Sequence, residues 1–340
     1  MPDPAATHPL QLGITTGDPA GIGPEVSLLA AAEPQLRDRC RLILFGDAFI
    51  LRSRADLLGL LWDFEPVTEA DLHSGAQLPR RGIVDVPAHR AAIAPGQGSK
   101  AAGQAAAQNV LACAGACRSG CLDAMVTAPL NKKFFHEAGY SFPGHTEFLA
   151  HLSGVSRYAM AFLTDRLKIV LATIHLPLRA AIDSITPALL LEKIGIVLEE
   201  FPRLGLPCRK VAVAGLNPHA GEGGLQGREE IEQILPALAE ARARHADAEI
   251  VGPVPADTLF YRAAQGEFDA VLALYHDQGL APIKLLGFGE AVNVTLGLPF
   301  LRTSVDHGTA YEIAGKGLAR PQGMISAIRW ALRLRRKSDE

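Results

Sequence analysis

No apolar run in this chain approaches the roughly 20 residues that a membrane-spanning helix requires. The opening MPDPAATHPLQ has neither the positive charge nor the apolar stretch of a secretory signal. A cytoplasmic protein is expected on both grounds. Charge of one sign is also missing: the formal net charge is −3, so no broad basic field would draw nucleic acid. The one basic run, RWALRLRRK near the end, reads as the solvated face of a terminal helix. Cysteines number five, an odd count that fits free thiols better than a disulfide framework. Cys113, Cys117 and Cys121 recur every four residues in an Ala-rich helical pattern. They read as small buried hydrophobes on one helix face rather than as a soft-metal stripe.

What is present is an Ala/Leu/Val-rich chain of 340 residues, 48% hydrophobic, long enough for two domains or one large α/β unit. Short apolar runs alternate with helical patterns, which predicts an α/β fold with a largely parallel sheet. QLGITT, RLILFGD and LDAMVTAPLNK are the strand candidates of the first half, and the Ala-rich stretch 99–118 is a long helix. Gly17, Gly21 and Gly23 in GDPAGIGPE lie between the first strand and a helix that Pro24 opens. That arrangement turns backbone N–H groups toward an anion, although a tight strand-to-helix turn accounts for the same residues. In PGHTEFLAHL, Thr146 is a candidate helix cap and His145 a donor beside the helix's positive end, together able to hold an oxyanion.

One plan then repeats three times. LKIVLATI runs into His175, VAVAGL runs into His219, and DAVLALY runs into His276, each near the carboxyl end of an apolar strand. In open α/β sheets such ends meet at one rim, where ligands bind. Three imidazoles gathered there suit a divalent metal with an open position for substrate. Any one of them alone would more often be an ordinary core or loop histidine. Asp277 and Asp257 are candidates for orienting or acid/base roles. Lys284, Asn293 and Arg302 follow at intervals of nine residues, without a local excess of carboxylate. With His145 they suggest a phosphorylated substrate; ordinary surface charge is the alternative.

The motifs GDPAGIGPE, VTAPLNK, PGHTE, TIHLPLR, LNPHAGEGG, VPADTLF, YHDQG and NVTLGLPFLRTSVDHGTA together resemble the 4-hydroxythreonine-4-phosphate dehydrogenase family of pyridoxal 5′-phosphate biosynthesis, from about Gly13 to Gly317. The resemblance implies an isocitrate/isopropylmalate dehydrogenase-like α/β fold, two lobes with an active-site cleft between them. Residues 1–134 plus 308–340 would form the cofactor-side lobe, and 135–307 the central lobe with metal, substrate and dimer contacts. It implies His175, His219 and His276 as ligands of one divalent metal per subunit (zinc, magnesium or cobalt). It implies His145, Thr146, Lys284, Asn293 and Arg302 as substrate contacts. It implies NAD or NADP as cofactor, near Gly17, Gly21, Gly23, His307 and Gly308. Asp257 and Lys132 are candidate catalytic groups, with His145 as a third conceivable base. A homodimer with shared active sites is implied, so the three histidines need not come from one chain. The implied reaction oxidises 4-phosphohydroxy-L-threonine at its secondary hydroxyl, and the product then loses carbon dioxide. The alternatives are a dehydrogenase of 4-phospho-threonate or -erythronate, or a metal-dependent phosphohydrolase.

Overall fold

In a computed structural model, the chain is described over residues 9–74, 77–287 and 289–334; the end of the basic C-terminal run lies outside the described residues. Among the described residues no helix is long and apolar enough to cross a membrane. The strands are β1 (Leu10–Thr15), β2 (Cys40–Gly46), β3 (Glu65–Pro66), β4 (Arg81–Asp85), β5 (Ala124–Thr127), β6 (Ala159–Leu163), β7 (Lys168–Leu171), β8 (Lys210–Ala214), β9 (Glu249–Val254), β10 (Ala270–Ala273), β11 (Val292–Leu296) and β12 (Leu301–Ser304). The chain divides into two compact units: one runs through Gly154 and includes Pro299–Arg333, the other is Val155–Leu298.

In the first unit the strand order is β3-β4-β2-β1-β5-β12, and every pairing is parallel. Parallel strands are covered on both faces, which is why Leu12, Ile14 and Ile43 to Phe45 are wholly buried in near-continuous apolar runs. The helix Lys100–Arg118 is capped by Ser99, whose hydroxyl accepts from Ala102 N at 3.2 Å. It turns Ala102, Ala106, Val110, Cys113 and Cys117 inward. A side chain at Gly13 would meet the Cys113 sulfur at 2.5 Å, so strand and helix touch through a glycine and a thiol. All five cysteines are free.

In the second unit the order is β11-β6-β7-β10-β8-β9. AMAFL and KIVL form an adjacent antiparallel pair, with Thr164 bracing the turn by accepting from Leu167 N at 2.9 Å. β7, β10 and β8 are neighbours and parallel, so their carboxyl ends point to one rim. Met160, Phe162, Ile169, Leu171 and Val271 pack under Leu259 and Ile283 of the covering helices.

The sequence reading divides the lobes at 134/135 and 307/308, whereas the units divide at 154/155 and 298/299. Residues 135–154 stay with the first unit because Gln108 of the long helix donates to the Tyr140 hydroxyl at 3.1 Å and Arg118 donates to Leu152 O at 2.9 Å. Residues 301–304 stay with it because β12 pairs with β5.

Candidate active site

On the second unit's rim, His175 lies just beyond β7 and His276 opens the helix His276–Gly287 just beyond β10. Thr173 donates to Leu274 O from its hydroxyl at 2.8 Å and from its N–H at 3.2 Å, lacing the two strand exits together. Buried Gln278 accepts from Leu274 N at 2.7 Å and donates to Gly215 O at 2.8 Å, fastening the end of β10 to that of β8. The His175 and His276 rings therefore stand 5.6 Å apart between centroids, tilted by 38°. Asp277 Oδ1 lies 2.7 Å from His276 Nδ1, a contact that orients the ring and turns Nε2 away from the carboxylate.

His219 is held differently. From His219 to Gly223 five consecutive residues have positive φ, and three of them, His219 (52°), Ala220 (53°) and Glu222 (44°), are not glycine. Each such residue costs roughly 1–2 kcal/mol in the left-handed region. Strain of that kind gathers at functional sites. Among the described residues no group of three or more His, Cys, Asp or Glu side chains is arranged to hold a metal ion. Sharing a rim brings three loops together; it does not place three side chains. The paired imidazoles, one oriented by a carboxylate, fit two positions of a zinc- or cobalt-type nitrogen donor set, and a third donor must complete it.

The first unit holds an anion-seeking cluster. Arg302 on β12 is 2% exposed and donates to the Thr127 hydroxyl on β5 from Nε at 3.1 Å and Nη2 at 2.6 Å. Burial pushes its pKa down to about 9, which leaves it charged at neutral pH, and Glu147 opposes that shift. His145 begins the helix His145–Leu152, and its Nε2 is buried with no hydrogen-bond partner among the described residues. Burial first, then the charges of Arg302 and Lys132, hold its pKa well below the usual imidazole value, so the ring is neutral. A Cβ at Gly144 would sit 3.7 Å from Lys132 Cε, which places that lysine beside the helix start. Two cations and an imidazole nitrogen converging at a helix start are suited to a phosphoryl group. Thr146 is not the helix cap: the helix starts one residue earlier, after extended Gly144, and Thr146 is buried in its first turn.

Of the remaining candidates, Lys284 is exposed on the helix His276–Gly287, and Asn293 on β11 has an Oδ1 that is buried with no hydrogen-bond partner among the described residues; both belong to the second unit. Asp257 is exposed in the first turn of the helix Ala256–Ala264.

The glycine loops are packed against each other. Gly17, Gly21 and Gly23 are buried, and a Cβ on any of them would strike backbone at 2.3, 2.8 and 2.2 Å. The N–H groups of Asp18, Gly21 and Ile22 donate to Pro129 O, Asp18 O and Thr309 O. These glycines thus allow close approach of chain to chain. Tyr311 donates its hydroxyl to Asp18 Oδ2 at 2.6 Å, and Glu25 accepts from Gly315 N at 2.5 Å and Gly317 N at 3.1 Å. Gly308, by contrast, is exposed with nothing near its Cβ position, and the buried His307 Nε2 has no hydrogen-bond partner among the described residues.

Several residues that organise the site carry no signal in periodicity or spacing: Thr127, Asp18, Tyr311, Gln278 and Glu230. Only the sandwiching of polar residues between apolar ones, as in AMVTAP, hints that a threonine is buried for a partner.

A family model described as "Pyridoxal phosphate biosynthetic protein PdxA" matches residues 38–331. The chain is 42% identical over 322 residues to the D-threonate 4-phosphate dehydrogenase of Cupriavidus necator, covering 94% of this chain and 95% of that protein. It is 44% identical over 325 residues to the 4-hydroxythreonine-4-phosphate dehydrogenase of Citrobacter koseri, covering 94% and 96%. Its fold matches the crystal structure of 4-hydroxythreonine-4-phosphate dehydrogenase from Klebsiella pneumoniae with a TM-score of 0.85 and 39% identity, over 95% of this chain and 98% of that one. With matches that span both units and nearly the whole length of each relative, the chain belongs to the PdxA family of pyridoxal phosphate biosynthetic proteins.

Proposed function

We propose that the chain is an NAD(P)-dependent dehydrogenase of a phosphorylated four-carbon hydroxy acid. The main reading is 4-phosphohydroxy-L-threonine, oxidised at its secondary hydroxyl to 2-amino-3-oxo-4-phosphooxybutanoate, which loses carbon dioxide to give 3-amino-2-oxopropyl phosphate. The observation that carries a phosphorylated substrate is the buried Arg302 held on Thr127 beside a neutral His145 and Lys132. Arg302 and Lys132 supply charge to the phosphate, and His145 Nε2 adds a directional hydrogen bond. Together they supply binding energy remote from the reacting carbon, which fixes that carbon in place.

His175 and His276 would hold a divalent metal with His219 as the third ligand, given by the same chain or by a second copy in a homodimer. Held there, a divalent metal would supply Lewis-acid polarisation of the hydroxyl under oxidation, and a bound nicotinamide would supply the hydride acceptor. Gly308 is the open position on the loop proposed to meet that cofactor, with His307 beside it; Asp257 remains the candidate base, Lys132 being assigned to the phosphate. Five free cysteines agree with a reducing cytoplasm.

The second reading, oxidation of D-threonate 4-phosphate, is favoured by the 42% identity to the Cupriavidus necator enzyme. NADH or NADPH formation with 4-phosphohydroxy-L-threonine, D-threonate 4-phosphate and D-erythronate 4-phosphate, run side by side, tests both. Reduced cofactor with the first substrate at the highest kcat/KM supports the main reading, and preference for a threonate selects the second. Release of inorganic phosphate without reduced cofactor overturns both.

A further inference from the structure

The loop 215–227 contains an unusual conjunction of strain and buried charge. Its left-handed run, His219 to Gly223, is a conformation that L-residues leave unless their surroundings hold them there. What holds it is visible. Glu230 is 2% exposed, and its Oε1 accepts from Leu216 N at 2.8 Å and Asn217 N at 2.7 Å. Its Oε2 accepts from Asn217 Nδ2 at 2.8 Å, and the same amide nitrogen donates to Glu229 Oε2 at 2.7 Å.

Two glycines make room for this carboxylate. A Cβ at Gly221, φ 80°, would approach Glu230 Oε2 to 2.8 Å, and one at Gly227 would strike the Asn217 side chain at 2.3 Å. On the other side, Asn217 O accepts from Ala220 N at 3.0 Å, which starts the left-handed turn. A buried carboxylate with three donors on it is thus placed under the backbone that launches His219. Carboxylates bonded in this way hold a loop far more firmly than a neutral contact would.

We propose that Glu230 is the positioning residue for His219: its carboxylate clamps Leu216 and Asn217 so that the loop stays in the left-handed turn and the imidazole is presented in one orientation. Glu229 acts as the second arm of the clamp through the Asn217 amide. The clamp concerns the loop alone, while its consequence for a metal rests on the function proposed above.

Glu230→Gln is the central variant, because it keeps size and one carbonyl acceptor but sets its amide against Asn217 Nδ2. Glu230→Ala removes the clamp outright. Amide hydrogen exchange over 214–224 in the full-length protein reads the loop, and titration with Co²⁺ alone, followed by its visible absorption, reads the imidazole set. Exchange in this segment should quicken at least tenfold in Glu230→Gln, and further in Glu230→Ala, with the strands of both units still protected. Co²⁺ affinity should fall by about 10- to 100-fold, the loss typical of removing a partner that orients a ligand, and His219→Ala should lower it at least as much. Unchanged exchange over 214–224 in Glu230→Gln overturns the clamp. Should Glu230→Ala fail to fold, Glu230→Gln still decides. Quickened exchange, with Co²⁺ affinity indifferent to both Glu230→Gln and His219→Ala, upholds the clamp and overturns the metal reading of His219.

Discussion

The rings of His175 and His276 stand side by side, 5.6 Å between centroids, although most of the second unit's sequence separates them. Their meeting follows from the adjacency of β7 and β10 and from the Thr173 bonds to Leu274 O that bring the two exits together. If the pair holds a metal, His276→Ala abolishes tight Co²⁺ or Zn²⁺ binding and with it turnover. Asp277→Asn, which alters only the partner of Nδ1, weakens binding by about 10- to 100-fold. Equilibrium dialysis measures both, and wild-type affinity in His276→Ala would refute the metal site.

Arg302→Lys keeps the charge but loses the planar fork that reaches Thr127 from two nitrogens. Losing a charge-assisted hydrogen bond costs roughly 1.5–3 kcal/mol, so KM for the phosphorylated substrate should rise by about 10- to 100-fold. The kcat should change less, since the contact is remote from the oxidised carbon. An unaltered KM would show that Arg302 does not grip the phosphate.

His145 gives a pH signature in the absence of substrate. Burial, Arg302 and Lys132 hold its folded-state pKa below the unfolded value, which is about 6.5. Between those two values the unfolded chain binds the extra proton, so stability is fully present above the unfolded pKa and is lost as pH falls toward the folded one. His145→Gln should therefore shrink the drop in thermal midpoint between about pH 7 and about pH 5. An equal drop in the variant and the wild type would contradict the assignment.

Tyr311→Phe removes the hydroxyl that donates to buried Asp18. Burial raises the Asp18 pKa, and the Tyr311 bond opposes that rise. With the folded value above the unfolded one, Asp18 costs stability as pH rises through that window, and losing Tyr311 widens it. The variant should lose about 1–3 kcal/mol, more at pH 7 than below the carboxylate range. Chemical denaturation at the two pH values measures it, and a loss independent of pH would point to packing alone.

Removing the strain in the loop without touching the clamp is a separate test. Ala220→Gly relieves one left-handed residue and should be neutral or stabilising in thermal melts, because glycine enters that region without steric cost. A marked loss of stability would show that the Ala220 methyl, not the backbone, matters at this position.

The strands were legible because a parallel sheet buried on both faces demands apolar runs, and QLGITT, RLILFG, KIVL and VAVA supply them. The position of each histidine after a strand was legible for the same reason. Other features were not. Thr146 in PGHTE has the chemistry of a cap, yet the helix begins at His145, since extended Gly144 takes the cap position two residues sooner. GDPAGIGPE left an anion loop and a tight strand-to-helix turn equally open; the N–H groups of Asp18, Gly21 and Ile22 serve carbonyls, one of them Thr309 O of the loop 307–317 that packs on this turn.

By itself the sequence determined the α/β architecture, and it offered the candidate side chains for a metal and a phosphate, because apolar periodicity and residue chemistry are local properties. Only the tertiary structure decided that Arg302 is buried on Thr127, that His145 is neutral, that His175 and His276 touch, and that Glu230 holds His219 in a left-handed turn. Those are matters of distance and solvent exclusion between residues far apart in the chain, and no local pattern encodes them.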